Sequence, residues 1–342
     1  MKILVTGGTG YIGSHTVVEL QEEGFEVVII DNLSNSLKEV VDRIEEITGK
    51  RPLFEELDLV DARATRDCIK KHHDIVGVIH FAALKAVGES VEKPLQYYHN
   101  NIGSLVNLLK ALDEFDIRNF VFSSSCTVYG QPKTLPVSEQ APLQQAESPY
   151  GNTKKISEDI LRDTVNTGKL NTISLRYFNP IGAHSTAKIG ELPLGVPDNL
   201  VPYITQTAIG KRESLRVFGT DYNTHDGTAI RDYIHVVDLA KAHVVAVNRM
   251  LNNATKEPFE VFNLGTGNGF TVLEVIQAFE KVSGKKLIYE FTERRKGDIE
   301  KVWADTSFAN EELGWKARLG LEEMMNSAWD WELALSKHNK EQ

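Results

Sequence analysis

Lys2-Ile3-Leu4-Val5-Thr6 runs without a break into Gly7-Gly8-Thr9-Gly10-Tyr11-Ile12-Gly13, and the reading of this stretch decides the fold. A short, continuously apolar run is the pattern of a strand buried on both faces. The residues after it fit G-x-G-x-x-G from Gly8 and G-x-x-G-x-x-G from Gly7. Glycine is needed where the chain turns tightly and its backbone approaches a pyrophosphate. A helix beginning near Tyr11 then offers its N-terminus to the phosphates. The next apolar run, Val27-Val28-Ile29-Ile30, ends at Asp31, 18 residues past Gly13. A carboxylate there accepts hydrogen bonds from ribose hydroxyls and repels a 2′-phosphate, so the expected dinucleotide is NAD rather than NADP.

Outward from this unit the pattern repeats. Strand-like runs occur at Lys2–Thr6, Glu26–Asp31, Leu53–Asp58, Val78–Ala82, Asn119–Ser125 and Asn171–Asn179. Between them, helical spacing covers Tyr11–Glu23, Leu37–Thr48, Asp61–His73, Val91–Phe115 and Pro149–Thr167. Strands alternating with helices predict an α/β fold: a Rossmann-type doubly wound parallel sheet. Beyond residue 180 the rhythm changes. The stretch from Gly182 to Asn199 reads as a long loop, of the kind that is usually functional or mobile. Helices are expected at Asn199–Ile209, His235–Leu251, Thr271–Val282 and Leu321–His338, with strands at Leu215–Phe218, Glu260–Leu264 and Leu287–Phe291. The expected division is a NAD-binding domain over 1–180 and a smaller mixed α/β substrate-binding domain over 181–342, with the chain free to cross between them.

Composition narrows the function. The 342 residues carry 38 Lys+Arg against 48 Asp+Glu, a net charge of −10. Duplex nucleic acid and anionic membrane both require a positive face, so neither is an expected partner. No apolar run approaches the length of a membrane span. Two cysteines, Cys68 and Cys126, are too few for a disulfide framework or a thiolate zinc site and suit a reducing, cytoplasmic setting. No histidine spacing marks a metal site, and His72-His73 reads as a solvated helix end; no metal is expected.

Tyr150-Gly151-Asn152-Thr153-Lys154 places a phenol and an ammonium four residues apart, on one face of a helix. Ser123-Ser124-Ser125 ends the preceding strand, and ligands of open α/β sheets bind beyond the carboxyl ends of strands. Tyr150, Lys154 and Ser125 are thus candidate catalytic residues for oxidation of a sugar alcohol. Free tyrosine, with a pKa of about 10, is a poor base at neutral pH. Bringing it near 7 requires roughly 4 kcal/mol of differential stabilisation, which the Lys154 ammonium and a cationic nicotinamide can supply.

With these residues in place, the chain resembles the extended short-chain dehydrogenase/reductase superfamily and, within it, the UDP-glucose 4-epimerase family. The resemblance runs nearly end to end. It is carried by the glycine turn through His15, by Asp31-Asn32-Leu33, by the run from His80 to Ser90, and by that from Phe122 to Gly130. It continues through Ser148-Pro149-Tyr150-Gly151, Leu175 to Pro180, and Asp226 to His235. The resemblance implies a retained NAD, oxidation at sugar C4 by way of Tyr150, rotation of the 4-keto sugar and return of hydride to its other face. It places cofactor contacts at Gly7, Gly10, Tyr11, Ile12, Gly13, Asp31, Asn32, Leu33, Ser34, Asn35 and Ser36. Others fall at Asp58, Leu59, Phe81, Ala82, Ala83, Leu84, Lys85, Asn100, Tyr150, Lys154 and Phe178. Contacts to a UDP-hexose substrate fall at Lys85, Ser125, Tyr150, Asn179, Asn199, Leu200, Phe218, Arg231, Arg295, Asp298 and Val302. Arg231 and Arg295 supply the local positive charge that the acidic chain lacks, and Phe218 is placed against uracil. A homodimer through Val91–Phe115 and Pro149–Thr167 is also implied.

Two positions depart from the family pattern. Asn152 stands where relatives commonly carry lysine. Val302 occupies the position that limits sugar size, where a tyrosine crowds the C2 substituent; valine leaves room for UDP-N-acetylglucosamine and UDP-N-acetylgalactosamine. Other functions fit these residues less well: a sugar-acid decarboxylase usually has a glutamate where this chain has Thr127. A nucleotide-sugar 4,6-dehydratase needs an Asp-Glu pair where this chain has Cys126 and Thr127, and a non-catalytic NAD-sensing protein would not need both Tyr150 and Lys154.

Overall fold

The computed structural model describes residues 1–295 and 298–341. The chain begins with β1 (Lys2–Thr6), α1 (Tyr11–Glu22), β2 (Glu26–Asp31), α2 (Glu39–Thr48), β3 (Leu53–Glu56), α3 (Ala62–Lys71) and β4 (Ile75–His80). It continues through α4 (Val87–Glu92), α5 (Pro94–Glu114), β5 (Asn119–Ser125), α6 (Pro149–Asn166), β6 (Asn171–Tyr177) and β7 (Asn179–Ile181). Then follow α7 (Leu200–Ala208), β8 (Leu215–Phe218), β9 (Ile230–His235), α8 (Val236–Leu251), β10 (Phe259–Leu264) and β11 (Gly269–Thr271). The last elements are α9 (Val272–Ser283), β12 (Tyr289–Thr292), β13 (Lys301–Val302) and α10 (Leu321–Glu341). No helix among the described residues is long and apolar enough to cross a membrane.

Seven strands form one sheet in the order β10-β6-β5-β4-β1-β2-β3, with every pair parallel. Successive side chains of a strand point to opposite faces, and both faces are buried here. Ile3, Val5, Val27 and Ile29 pack with Val17 and Leu20 of α1 and Leu239 and Val247 of α8. Leu4, Val28 and Ile30 pack with Ile69 of α3, Leu105 and Leu108 of α5 and Leu161 of α6. This two-sided burial is why the strands read as continuous apolar runs. The order reverses around β1, so the crevice of a doubly wound sheet opens beyond the carboxyl ends of β1 and β4.

The second half contributes a mixed sheet, β11-β9-β13 with β7 on β9, and a two-stranded sheet of β8 and β12. These rest on a separate core that includes Ile181, Ile204, Tyr233, Phe279, Met324 and Met325. Both α8 and β10 come from beyond residue 180 yet belong to the large sheet layer, so the chain crosses back after entering the second half.

Several expected boundaries move. The single helix expected over Val91–Phe115 is two: Lys93 leaves the helical region at φ −125°, and Pro94, which has no N–H to lose, opens α5. Strand β4 begins at Ile75 and ends at His80 rather than spanning 78–82. Strand β9 escaped the pattern because Arg231 and Asp232 interrupt its apolar run. His72 is not a solvated helix end: it is buried, with Nε2 2.7 Å from Glu55 Oε1. The loop after Gly182 is tethered to α10, where Ser327 Oγ accepts from Ala183 N at 3.1 Å and Trp331 Nε1 donates to Glu191 O at 2.9 Å.

One polar cluster lies inside the apolar layer. Glu158 of α6 meets Arg176 of β6 at 2.5 Å and also accepts from Ser124 (2.6 Å) and Ser174 (2.9 Å). Truncating one partner of a buried pair strands the other charge, so Arg176→Ala should cost about 3–5 kcal/mol of stability. A denaturant titration checks this; a cost below about 1 kcal/mol would show that the pair does not clamp α6 to the sheet.

Candidate active site

The glycine turn after β1 has no space for side chains. Gly7 sits at φ +71°, where a Cβ would lie 2.8 Å from Ala82 N, and a Cβ on Gly13 would lie 2.2 Å from Gly7 O. Gly10 caps α1 without a side-chain bond, the first turn holds no acid, and the N–H groups of Tyr11 and Ile12 have no acceptor among the described residues. This is an open anion site at the positive end of a helix. Asp31 closes β2 beside it, accepting from Thr9 N (3.2 Å), Leu33 N (3.0 Å) and Ser36 Oγ (3.2 Å). Those bonds hold Leu33 at φ +56°, and Asn32 reaches Asp58 at 3.2 Å. On the other side, Thr6 ties down Phe81 N (3.0 Å) and Ala82 N (3.3 Å). The unpartnered helix end, the flat glycine turn and the carboxylate at the end of β2 fit a dinucleotide lying across the crevice.

Asn101, which the sequence reading missed, clamps this wall. Its Oδ1 accepts from Leu84 N (2.8 Å) and from Asn100 Nδ2 (3.0 Å), and its Nδ2 donates to Leu84 O and Thr153 Oγ1 (3.0 Å each). The signal was a polar residue on the buried face of α5, between Tyr97 and Leu105.

Ser148 and Pro149 start α6: Ser148 Oγ accepts from Gly151 N at 3.1 Å and Pro149 fits the first turn. Tyr150 and Lys154 follow, 9% and 4% exposed, beside Ser125 at the end of β5, 7% exposed. Lys154 Nζ donates to Ser123 O at 2.7 Å and lies 6.0 Å from the centre of the Tyr150 ring. Burial lowers the Lys154 pKa to about 8, with Glu158 opposing the shift. Burial also holds the Tyr150 phenol well above its ordinary pKa, with Tyr177 adding to the shift and Ser125 opposing it. Burial thus works against a phenolate here, in keeping with the expectation that both Lys154 and a cationic nicotinamide are needed to favour one. The second of these charges would lie in the crevice.

The second half closes over this trio. Val302 pairs with Arg231 across β13 and β9, and its side chain is buried among Phe178, Val128 and Cys126. Asn179 pairs with Tyr233, whose pKa burial raises to about 12 against the opposing charges of Arg231 and Arg295. Arg295 lies 4.9 Å from the Phe218 ring centre and 3.0 Å from Asp298. Asn199 and Lys85 both reach Glu191, another residue the sequence reading missed. Thr127 Oγ1, two residues past Ser125, is buried without a hydrogen-bond partner among the described residues. The expected substrate contacts thus form a wall (Asn179, Arg231, Val302), a stacking pair with its acid (Phe218, Arg295, Asp298) and a pair, Lys85 and Asn199, that Glu191 bridges. Away from the site, Glu55, Cys68 and His72 have metal-ligand donors close together, but Lys71 and His72 both already take the Glu55 carboxylate.

A family model described as GDP-mannose 4,6 dehydratase matches residues 4–328. A UDP-glucose 4-epimerase of Bacillus subtilis is 53% identical, over 97% of this chain and 97% of its own. The chain belongs to that dehydratase family and, within it, to the UDP-glucose 4-epimerases. Solved epimerase structures agree in fold. That from Stenotrophomonas maltophila, with bound NAD and formylated UDP-arabinopyranose, superposes with a TM-score of 0.95 at 49% identity over 99% of both chains. That from Bifidobacterium longum, in complex with NAD+ and UDP, gives 0.93 at 45% identity over 98% of both. Like an epimerase and unlike a dehydratase, this site has no acid pair after Ser125, where Cys126 and Thr127 stand.

The Lys154 shift has a readable consequence. Below about pH 8 the side chain is an ammonium that favours a Tyr150 phenolate; above it that charge is lost. A profile of kcat/KM against pH should fall on the alkaline side with a midpoint near 8, and a rate level to pH 10 would contradict this.

Proposed function

We propose that this chain interconverts UDP-glucose and UDP-galactose as an NAD-dependent 4-epimerase. One observation carries the reading: in a chain of this family, Tyr150, Lys154 and Ser125 converge at the mouth of a dinucleotide crevice, with no elimination acid beside them. NAD, held by the open end of α1 and by Asp31 and Asp58, would supply the hydride acceptor and donor for sugar C4 and a positive charge near Tyr150. The protein's residues do the rest. Tyr150 Oη accepts the proton of the 4-hydroxyl and gives it back after the sugar has turned. Lys154, fixed through Ser123 O, keeps a positive charge near that phenol. Ser125 Oγ holds the hydroxyl in line. The open end of α1, with Asp31 and Asp58, binds the dinucleotide. Phe218, Arg231, Arg295, Asp298 and Asn199 hold the nucleotide while the 4-keto sugar rotates about its diphosphate, since no net redox change requires the cofactor to leave.

Substrate range follows from Val302. Its small, buried side chain supports acceptance of UDP-N-acetylhexosamines, because the wall beside Arg231 carries no aromatic ring at that position. The homodimer reading draws support from α5. There Leu95 is 81% exposed, and Tyr98, Ile102 and Val106, each only half-buried, continue an apolar stripe down the same helix. Two free cysteines suit a reducing cytoplasm. We assign the cofactor half to residues 1–180 together with α8 and β10, and the UDP-sugar half to the rest.

Purified protein given UDP-galactose should yield UDP-glucose to a mixture near equilibrium, resolved by chromatography; no conversion with NAD supplied would refute the reading. Tyr150→Phe should lower kcat by roughly 10²- to 10⁴-fold with little change in KM. Val302→Tyr should abolish turnover of acetylated sugars and spare UDP-galactose. Equal loss on both, or persistence on the acetylated sugars, would remove Val302 from substrate selection.

A further inference from the structure

The edge of the large sheet gathers three side chains with metal-ligand donors that the reaction does not use. Glu55 lies on β3, the outermost strand, where it pairs with Ile30 of β2. Paired residues of neighbouring strands share a face. Ile30 belongs to the face covered by α3, in one apolar cluster with Cys68 and Ile69. The Glu55 carboxylate is thereby turned toward α3. Cys68 and His72 stand four residues apart along that helix and its C-cap, so they share its buried side. The His72 backbone is locked: its N–H donates to Cys68 O and Ile69 O at 3.1 Å each, and its carbonyl accepts from Ile75 N at 3.1 Å. One carboxylate oxygen, one imidazole nitrogen and one sulfur lie within 4.8 Å of one another.

This donor set suits zinc, a borderline-soft divalent cation that takes thiolate, imidazole and carboxylate together. Tetrahedral zinc holds sulfur at about 2.3 Å and nitrogen or oxygen at about 2.0–2.1 Å, which spaces its ligands roughly 3.3–3.6 Å apart. His72 Nε2 and Glu55 Oε1 are 2.7 Å apart, so they need to open by only about 0.6 Å to admit the ion. The charges balance. One thiolate and one carboxylate neutralise the cation, the imidazole ligates in its neutral form, and no net charge is left buried. Lys71 takes the same Glu55 oxygen at 2.6 Å, but its side chain is 63% exposed and can turn into solvent at little cost. Counting cysteines argued against a zinc site. One thiolate suffices, however, when a histidine and a carboxylate complete three ligands, and Glu55 arrives from another element.

We propose that Glu55, Cys68 and His72 bind one zinc ion, with water as the fourth ligand, and that the ion staples β3 to the C-terminal end of α3. As the zinc–sulfur bond forms, the thiol proton leaves to water and Lys71 is released to solvent. The turn between β3 and α3 carries Asp58 and Leu59, two expected cofactor contacts. That turn is already tied, Val60 N donating to Asp58 Oδ1 at 2.9 Å and Thr65 Oγ1 to Leu59 O at 3.2 Å. The metal closes the other end of the same unit. Its role is to stabilise the cofactor half, apart from the chemistry at Tyr150.

The test is titration of reduced, metal-free full-length protein with cobalt(II), a visible reporter for zinc sites, followed by zinc. One equivalent of cobalt should give the visible absorption of a four-coordinate ion and a near-ultraviolet thiolate-to-cobalt band, and zinc should displace both. Cys68→Ala should lose the thiolate band, while Cys126→Ala keeps it. Glu55→Gln and His72→Gln should each weaken cobalt binding about tenfold or more. Saturating zinc should raise the Tm of the wild type by about 2–4 °C and leave that of Cys68→Ala unmoved. A wild type without the thiolate band, a band that survives in Cys68→Ala, or unchanged cobalt affinity in both Glu55→Gln and His72→Gln would overturn the site. Equal Tm shifts in the wild type and Cys68→Ala would overturn the staple. None of these readouts depends on UDP-galactose turnover, so they stand or fall apart from the epimerase reading.

Discussion

Glu158 and Arg176 meet where water does not reach, their side chains 1% and 3% exposed. Neither charge is tolerable alone at that depth, so each fixes the other, and the groups that complete their hydrogen bonds are fixed in turn. Glu158 takes Ser124, the neighbour of Ser125 on β5. Arg176 reaches Tyr129 at 2.9 Å, and Tyr129 reaches Asn263 on β10 at 2.7 Å. Lys154 sits one helical turn before Glu158 on α6. The relative placement of Tyr150, Lys154 and Ser125 is thus set one layer below the site, by a pair that touches no ligand. The same carboxylate opposes the desolvation of Lys154 and helps keep it charged in an apolar surrounding.

The two halves are joined by chain crossings rather than by a flat interface. Strand β10 completes the large sheet and presents Asn263 to the buried network, and the segment before it lays α8 against α1. Strand β9 then carries Arg231 on one side and, through Asp232, grips Thr266, Gly267 and Ala304 by four hydrogen bonds of 2.7–3.1 Å. These bonds seat β13 and therefore Val302. The substrate wall is in this way mechanically continuous with the sheet that positions the catalytic residues.

Local signals made part of this legible. The β1 turn and Asp31 announce themselves because the chemistry demands glycine and a carboxylate at fixed spacing, and the strands are readable because burial on both faces makes them uniformly apolar. Tyr150 and Lys154 are four apart on one helix, so their convergence needs no tertiary knowledge. Apart from the helix break at Lys93-Pro94 and shifted strand ends, the misses are long-range. His72 looked solvated because its partner, Glu55, lies on another element. Strand β9 was hidden by charges whose partners lie up to 72 residues further on. Glu191 and Asn101 gain meaning only from what they touch, 106 residues away at Lys85 and 52 away at Thr153. Tyr150 shows the same limit: sequence reveals the neighbouring charge but not the burial that raises the phenol's pKa.

The central claim is that the hydrogen at sugar C4 leaves and returns within one closed site, with Tyr150 handling only the proton. The most direct measurement is turnover of C4-deuterated UDP-galactose in ordinary water, with the UDP-glucose product read by mass spectrometry and proton NMR. The account predicts that deuterium stays at C4 through many turnovers. Its progressive replacement by solvent hydrogen would contradict the account, since that outcome requires C4 to exchange with water.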